Sequence, residues 1–94
     1  MKTVNVPGKN KKHKIFLYTL STCVWCKRTK KLLKDNDVEY AYTDVDLRDE
    51  KDQERIKNDI YRRAGRLSYP AIIIDDDTLI MGFREDEIRE RLGT

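Results

Sequence analysis

The order of residue types predicts an α/β fold, a mixed four-stranded sheet flanked by three helices in the order β-α-β-α-β-β-α. Three observations carry this reading. Four short runs are apolar, aromatic or β-branched: Ile15-Phe16-Leu17-Tyr18, Val38–Thr43, Ala71–Ile74 and Thr78–Met81. Charged stretches of helical character separate the first three runs, and a helical crossover between strands implies parallel neighbours. Only Asp75-Asp76-Asp77 separates the last two runs, which implies an antiparallel hairpin.

The first strand is expected at 14–19. A helix at 23–35 follows, with Lys30, Lys31 and Lys34 toward its end to complement the helix dipole. Cys26, Thr29, Leu32 and Leu33 form its narrow apolar stripe. Asp35-Asn36-Asp37 ends it. The second strand, 38–43, alternates Val38, Tyr40 and Tyr42, and a loop at 44–48 follows. The next helix, 49–64, opens on Asp49, Glu50 and Asp52 and closes on Arg62, Arg63 and Gly65, with Ile56 and Ile60 facing the core. Pro70 opens the third strand, and the fourth returns after the Asp75–Asp77 turn. A last helix at 84–92 has Ile88 and Leu92 as its i, i+4 pair and ends at Gly93.

Ninety-four residues suit one domain with a small core. Charged residues make up 39% of the chain, and the longest apolar run, Ala71–Ile74, is far too short to cross a bilayer. Residues 1–14 hold five of the 20 basic residues and no acid, which leaves 15 bases against 17 acids and a net charge of −2 beyond them. The chain therefore reads as a basic N-terminal extension, residues 1–13, followed by a nearly balanced domain, residues 14–94. No aromatics interleave with these lysines, so a solvated tail is favoured over a nucleic-acid contact. Val4 and Val6, before Pro7-Gly8, suggest a short edge strand. Without an apolar stretch behind the lysines the N-terminus does not read as a secretory signal, and a cytoplasmic location is expected.

The chain holds two cysteines, in Cys23-Val24-Trp25-Cys26, between the first strand and first helix. In a reducing compartment such a pair points to reversible disulfide chemistry. The attacking species is the thiolate, and an unperturbed thiol has a pKa of about 8.5. A thiol at a helix N-terminus meets free backbone N–H groups and the positive dipole end. Cys23 is the expected nucleophile, with Lys27 and Arg28 adding positive charge nearby, and Cys26, one turn deeper, is the expected resolving thiol. A structural staple is disfavoured because so small a loop removes little chain entropy. A zinc site is disfavoured because only the distant His13 adds a nitrogen donor, and no metal ligand is assigned. An iron–sulfur cluster bridged between two chains through Cys23, with an outside thiol, is an alternative. Asp75–Asp77 reads as a turn, since the spaced ligands of a calcium loop are absent.

The element order, Tyr18-Thr19-x-x-x-Cys23-x-x-Cys26, Tyr69-Pro70 and Gly82-Phe83-Arg84-Glu85-Asp86 resemble the glutaredoxins, of thioredoxin-like fold. The resemblance covers about residues 14–93. Its last motif is most similar to that of glutaredoxin-like redoxins that donate electrons to ribonucleotide reductase. It implies a dithiol–disulfide oxidoreductase acting as a monomer on protein disulfides and recharged by an unidentified thiol or reductase. It implies no resident cofactor beyond the redox-active disulfide. It also implies a cis peptide bond before Pro70, leaving the Tyr69 backbone free to pair with an extended substrate. Trp25, Tyr69, Pro70, Gly82 and Phe83 become candidate substrate-binding residues; packing of Trp25 on a neighbouring loop is its other reading. Glutathione is a possible co-substrate, but Leu20 stands where glutaredoxins commonly carry a lysine, Ser68-Tyr69 where Thr-Val is usual, and Phe83 after a single glycine. Those departures argue against glutathione as the specific partner.

Overall fold

A computed structural model describes residues 2–93. Its strands are β1 (Val4–Val6), β2 (Ile15–Thr19), β3 (Tyr40–Asp44), β4 (Ala71–Ile74) and β5 (Thr78–Met81). Its helices are α1 (Val24–Asp35), α2 (Glu50–Ala64) and α3 (Glu85–Leu92). The sheet order is β1-β3-β2-β4-β5, with β2 and β3 parallel and every other pair antiparallel; the parallel relation expected across the helical connections therefore holds for β2 and β3 alone, since β4, after α2, pairs with β2 in the opposite direction.

The sheet has five strands rather than the expected four. The added one is β1, the edge strand suggested by Val4 and Val6, and it pairs with β3 from Val4↔Tyr42 to Val6↔Tyr40. Two further contacts tie this basic segment down. The Asn10 N–H donates to the Asp37 carbonyl, and the Glu39 N–H donates to the Asn10 carbonyl. The third observed strand begins later than expected, at Tyr40, because Val38 is engaged in an isolated bridge with Asn10. In the expected loop, Val45–Leu47 forms a short 3-10 turn. Gly8 makes the docking possible: an added Cβ there would stand 2.6 Å from the Glu39 nitrogen and 2.7 Å from the Asp37 oxygen, both backbone atoms that cannot rotate away. Gly8→Ala is therefore expected to strip β1 from the sheet. Hydrogen exchange at residues 4–6 should accelerate, while protection in the central β2 stays unchanged.

Period-two alternation assigns the two faces. Ile15 and Leu17 of β2, Ile72 and Ile74 of β4, and Ile80 of β5 pack with Leu32 and Leu33 of α1 and with Ile88 and Leu92 of α3. Tyr18, Ala71 and Ile73 pack on the opposite face with Val45 and with Ile56 and Ile60 of α2. All four residues of β4 are buried, which explains why this strand reads as a continuous apolar run. The Tyr18 hydroxyl donates to Asp59 at 2.9 Å and pins α2 to the sheet. Asp75 and Asp76 adopt positive φ angles of 54° and 63° in the β4–β5 turn, and Asp75 accepts hydrogen bonds from His13 and from the Lys14 N–H. The aspartate run is thus a turn that fastens the start of β2. This layering places the N-terminus of α1 at the end of β2, beside the β4 and β5 segments around Pro70 and Gly82.

Candidate active site

Cys23 is the N-cap of α1, in extended conformation, and its sulfur accepts the Cys26 N–H at 3.2 Å. An orphan donor of the first helical turn is thereby aimed at the sulfur that carries charge as a thiolate. The Cys23 N–H donates to the Leu20 carbonyl at 3.1 Å, and its carbonyl accepts from Lys27, closing the turn. Ser21, just before it, donates to Asp46 through both its amide and its hydroxyl, so the loop is tied to the 3-10 turn. Those two bonds hold the Asp46 carboxyl below the usual range.

The two thiols are free and differ sharply in environment. Cys23 is partly exposed, whereas Cys26 is fully buried. Burial, and then the hydrogen bond to Cys23, push the Cys26 thiol up to about 12. Cys26 therefore stays a neutral thiol at physiological pH in the reduced protein.

Four of the five candidate substrate-binding residues line one groove. Trp25, Tyr69, Gly82 and Phe83, together with Ser68, enclose about 320 Å³ beside the cysteines. The Tyr69–Pro70 bond is cis. Pro70, the fifth, is buried, and its carbonyl accepts the Gly82 N–H at 2.8 Å. Gly82 has φ of +80°, a conformation that side chains resist, so glycine lets the chain turn here into Phe83 and α3. Trp25 packs on a neighbouring segment, its second sequence reading, while staying open to solvent. It is 52% exposed, and it stacks on Phe83 with ring centroids 5.9 Å apart and planes 24° from parallel. The Arg28 guanidinium lies 4.9 Å from the Trp25 ring centroid, a cation–π contact that braces the groove wall. Lys27 is exposed. A second groove, of about 290 Å³ between α1 and α3, shares Arg28 and Phe83 with this wall.

The Tyr69 hydroxyl is buried and has no hydrogen-bond partner among the described residues. Burial, and then the charge that Cys26 acquires on ionising, push its phenol upward. A buried hydroxyl without a partner costs about 1–3 kcal/mol, whereas a same-shaped apolar group does not. Tyr69→Phe is accordingly expected to stabilise the fold, by about 1 kcal/mol, read as a higher denaturant midpoint at unchanged slope. A lower midpoint would mean that the hydroxyl is satisfied in solution.

Sequence reasoning missed a polar cluster behind Cys26. In the sequence Lys30 reads with the dipole-complementing lysines, but of the three only Lys34 lies in the last turn of α1. Instead the Lys30 ammonium pairs with Asp44 at 3.2 Å, both side chains largely buried, and lies 3.8 Å from the Tyr42 ring centroid. Asp44 also accepts the Thr19 hydroxyl at 2.7 Å. The one signal available was spacing: Lys30 follows Cys26 by four residues and so shares its helix face. Among the described residues no group of three or more His, Cys, Asp or Glu could hold a metal ion, and no helix is long and apolar enough to cross a membrane.

Comparisons with known proteins agree with this fold. A family model described as Glutaredoxin matches residues 15–80. A Clostridium pasteurianum protein, described as an uncharacterized glutaredoxin-like protein in the rubredoxin operon, is 32% identical over 74 residues, which span 79% of this chain and 91% of that protein. The crystal structure of the glutaredoxin from Methanosarcina mazei Go1 superposes with a TM-score of 0.88 at 42% identity, covering 100% of this chain and 90% of that one. The Methanosarcina acetivorans methanoredoxin structure superposes with a TM-score of 0.81 at 46% identity, covering 86% and 85%.

Proposed function

Because the chain belongs to the glutaredoxin family of thiol–disulfide oxidoreductases, we propose that it reduces protein disulfides through a reversible Cys23–Cys26 disulfide. The observation that carries this reading is the unequal placement of the two thiols, one partly exposed at a helix N-terminus and one buried behind it. The Cys23 thiolate attacks one sulfur of the substrate disulfide. That bond breaks, one substrate sulfur leaves as a thiolate and takes up a proton, and Cys23 is left in a mixed disulfide. Cys26 then loses its proton and attacks the Cys23 sulfur. The Cys23–Cys26 bond forms, the second substrate sulfur leaves as a thiolate, and two electrons have passed to the substrate. An external thiol or reductase returns them.

The groove supports a protein substrate. Ser68 and Tyr69 line the groove just before β4, and the stacked Trp25 and Phe83 offer an apolar wall. Ser68, Tyr69 and Phe83, three of the departures from the glutathione-binding pattern, line this groove, so the electron donor is assigned to a thiol or reductase other than glutathione. Ribonucleotide reductase is the candidate target suggested by Gly82-Phe83-Arg84-Glu85-Asp86, and the cytoplasm is the compartment where such a dithiol stays reduced. The deciding experiment supplies glutathione, a thioredoxin reductase system or another thiol, each as sole electron source, with a protein disulfide as acceptor. Turnover is expected with a donor other than glutathione. Saturable turnover with glutathione alone would overturn the donor assignment, and no turnover with any donor would overturn the oxidoreductase reading.

A further inference from the structure

The partly buried Lys30–Asp44 pair contributes little net stability of its own. Removing two charges from water costs several kcal/mol per ion, about as much as their attraction returns. Its position suggests another use. Cys26 and Lys30 are one turn apart on the sheet-facing side of α1. Asp44, at the end of β3, holds Lys30 there, and the Thr19 hydroxyl holds Asp44. Thr19 ends β2 and is followed by Leu20, whose backbone lies against the Cys26 sulfur. The Tyr42 ring covers the Lys30 ammonium, so this cation is partly shielded from solvent and its field is screened less than that of the exposed Lys27.

We propose that Lys30, held by Asp44, is the positioning residue that allows Cys26 to ionise in the resolving step. In the reduced protein the neighbouring Cys23 sulfur opposes a charge on Cys26. In the mixed disulfide Cys23 is bonded to the substrate sulfur and can carry no charge, so that opposition disappears. Burial still disfavours the Cys26 thiolate. The groups that act on it from the surrounding elements are then Lys30 on α1, the Leu20 backbone after β2, and the buried Tyr69 hydroxyl before β4, with Asp44 of β3 partly offsetting Lys30. Lys30 is the only one of these with a positive charge. The step balances as given above: the Cys26 proton goes to solvent, the Cys23–Cys26 bond forms, and the bond from Cys23 to the substrate sulfur breaks.

This inference rests on the dithiol mechanism, and one experiment separates their failures. The reduced protein is mixed with dithiobis-nitrobenzoate. Attack by Cys23 releases one thionitrobenzoate, and resolution by Cys26 releases a second, as two phases of one absorbance trace. In Lys30→Gln the second phase is expected to slow about tenfold at neutral pH, equivalent to an upward move of one pH unit in its midpoint. The first phase should keep its rate, and Lys30→Arg should restore the second. Asp44→Asn keeps an oxygen that accepts from Lys30, and so its hold, while removing the offsetting carboxylate; it should move the midpoint down, the opposite sign. A second-phase pH profile identical to wild type in Lys30→Gln would overturn the proposal, as would equal slowing of both phases. An upward move in Asp44→Asn would overturn it in favour of proton acceptance by Asp44. Should Lys30→Gln not fold, the sign of the Asp44→Asn shift still decides. No thionitrobenzoate release from wild type would instead reject the dithiol mechanism itself.

Discussion

Cys23→Ser is expected to abolish disulfide reduction, whereas Cys26→Ser should stop it halfway, with the substrate held on Cys23. The asymmetry follows from the two environments. A hydroxyl at position 23 occupies the same N-cap and satisfies the same amide, so the fold survives. It does not ionise near neutral pH and cannot form the mixed disulfide, so no electron pair can move. With Cys26 replaced, the first attack proceeds and its product has no internal thiol to release it. A trapped adduct of protein plus substrate, visible by non-reducing electrophoresis and reversed by reductant, is the diagnostic species. Retained reduction by Cys23→Ser would sink the assignment of roles.

The same asymmetry gives a pH expectation with a definite sign. Iodoacetamide at neutral pH should alkylate Cys23 of the reduced protein and spare Cys26, which is buried and whose thiol is pushed up to about 12. Cys26 should react at neutral pH only after denaturation, as peptide mapping by mass would reveal. For folding, a thiol whose titration is raised in the native state contributes fully below the ordinary thiol range. Above that range the unfolded chain releases this proton while the folded chain keeps it, so stability falls as pH rises toward about 12. Cys26→Ala should remove this share of the alkaline decline and leave the share due to Tyr18, Tyr40 and Tyr69, whose phenols burial also raises.

The chemistry was legible in the sequence because its parts are local. Cys23, Cys26 and the start of α1 lie within one helical turn, and one turn decides which thiol meets the free N–H groups. The helix anchors Ile56, Ile60, Ile88 and Leu92 were legible for the same reason, since helical periodicity is a near-neighbour property. What escaped depends on contacts across the sheet. Lys30 reads as one of many lysines until the parallel β2–β3 pairing brings Asp44 to it. Trp25 has no visible partner until the β5–α3 turn delivers Phe83. The fifth strand was visible only as two valines, because a three-residue edge strand with mostly exposed side chains carries almost no burial signal. Its docking rests instead on β3 backbone pairing and on the absence of a side chain at Gly8.

Leu17→Ala is expected to be among the most destabilising single truncations, and its effect should reach the cysteines. Leu17 is fully buried in the centre of β2, which is flanked by β3 and β4, and its side chain faces the layer formed by α1 and α3. Removing it deletes buried methyl groups and leaves a cavity walled by a sheet paired on both sides, which cannot collapse freely. The cost is about 2–5 kcal/mol. For a domain of this size that amounts to a fall in the unfolding midpoint on the order of 10–20 °C. Ile60→Ala, an equally buried truncation on the α2 face, should cost a comparable amount. The two variants should part at the active site. Leu17 supports the layer that holds α1 against the sheet, so its loss should loosen the helix that keeps Cys26 buried, and alkylation of Cys26 in the folded protein should quicken. Ile60 supports the opposite layer, and its loss should leave Cys26 protected. Paired thermal melts and timed alkylation of both variants, well below their melting ranges, measure the two effects separately. Equal protection of Cys26 in both would show that α1 holds its place without Leu17.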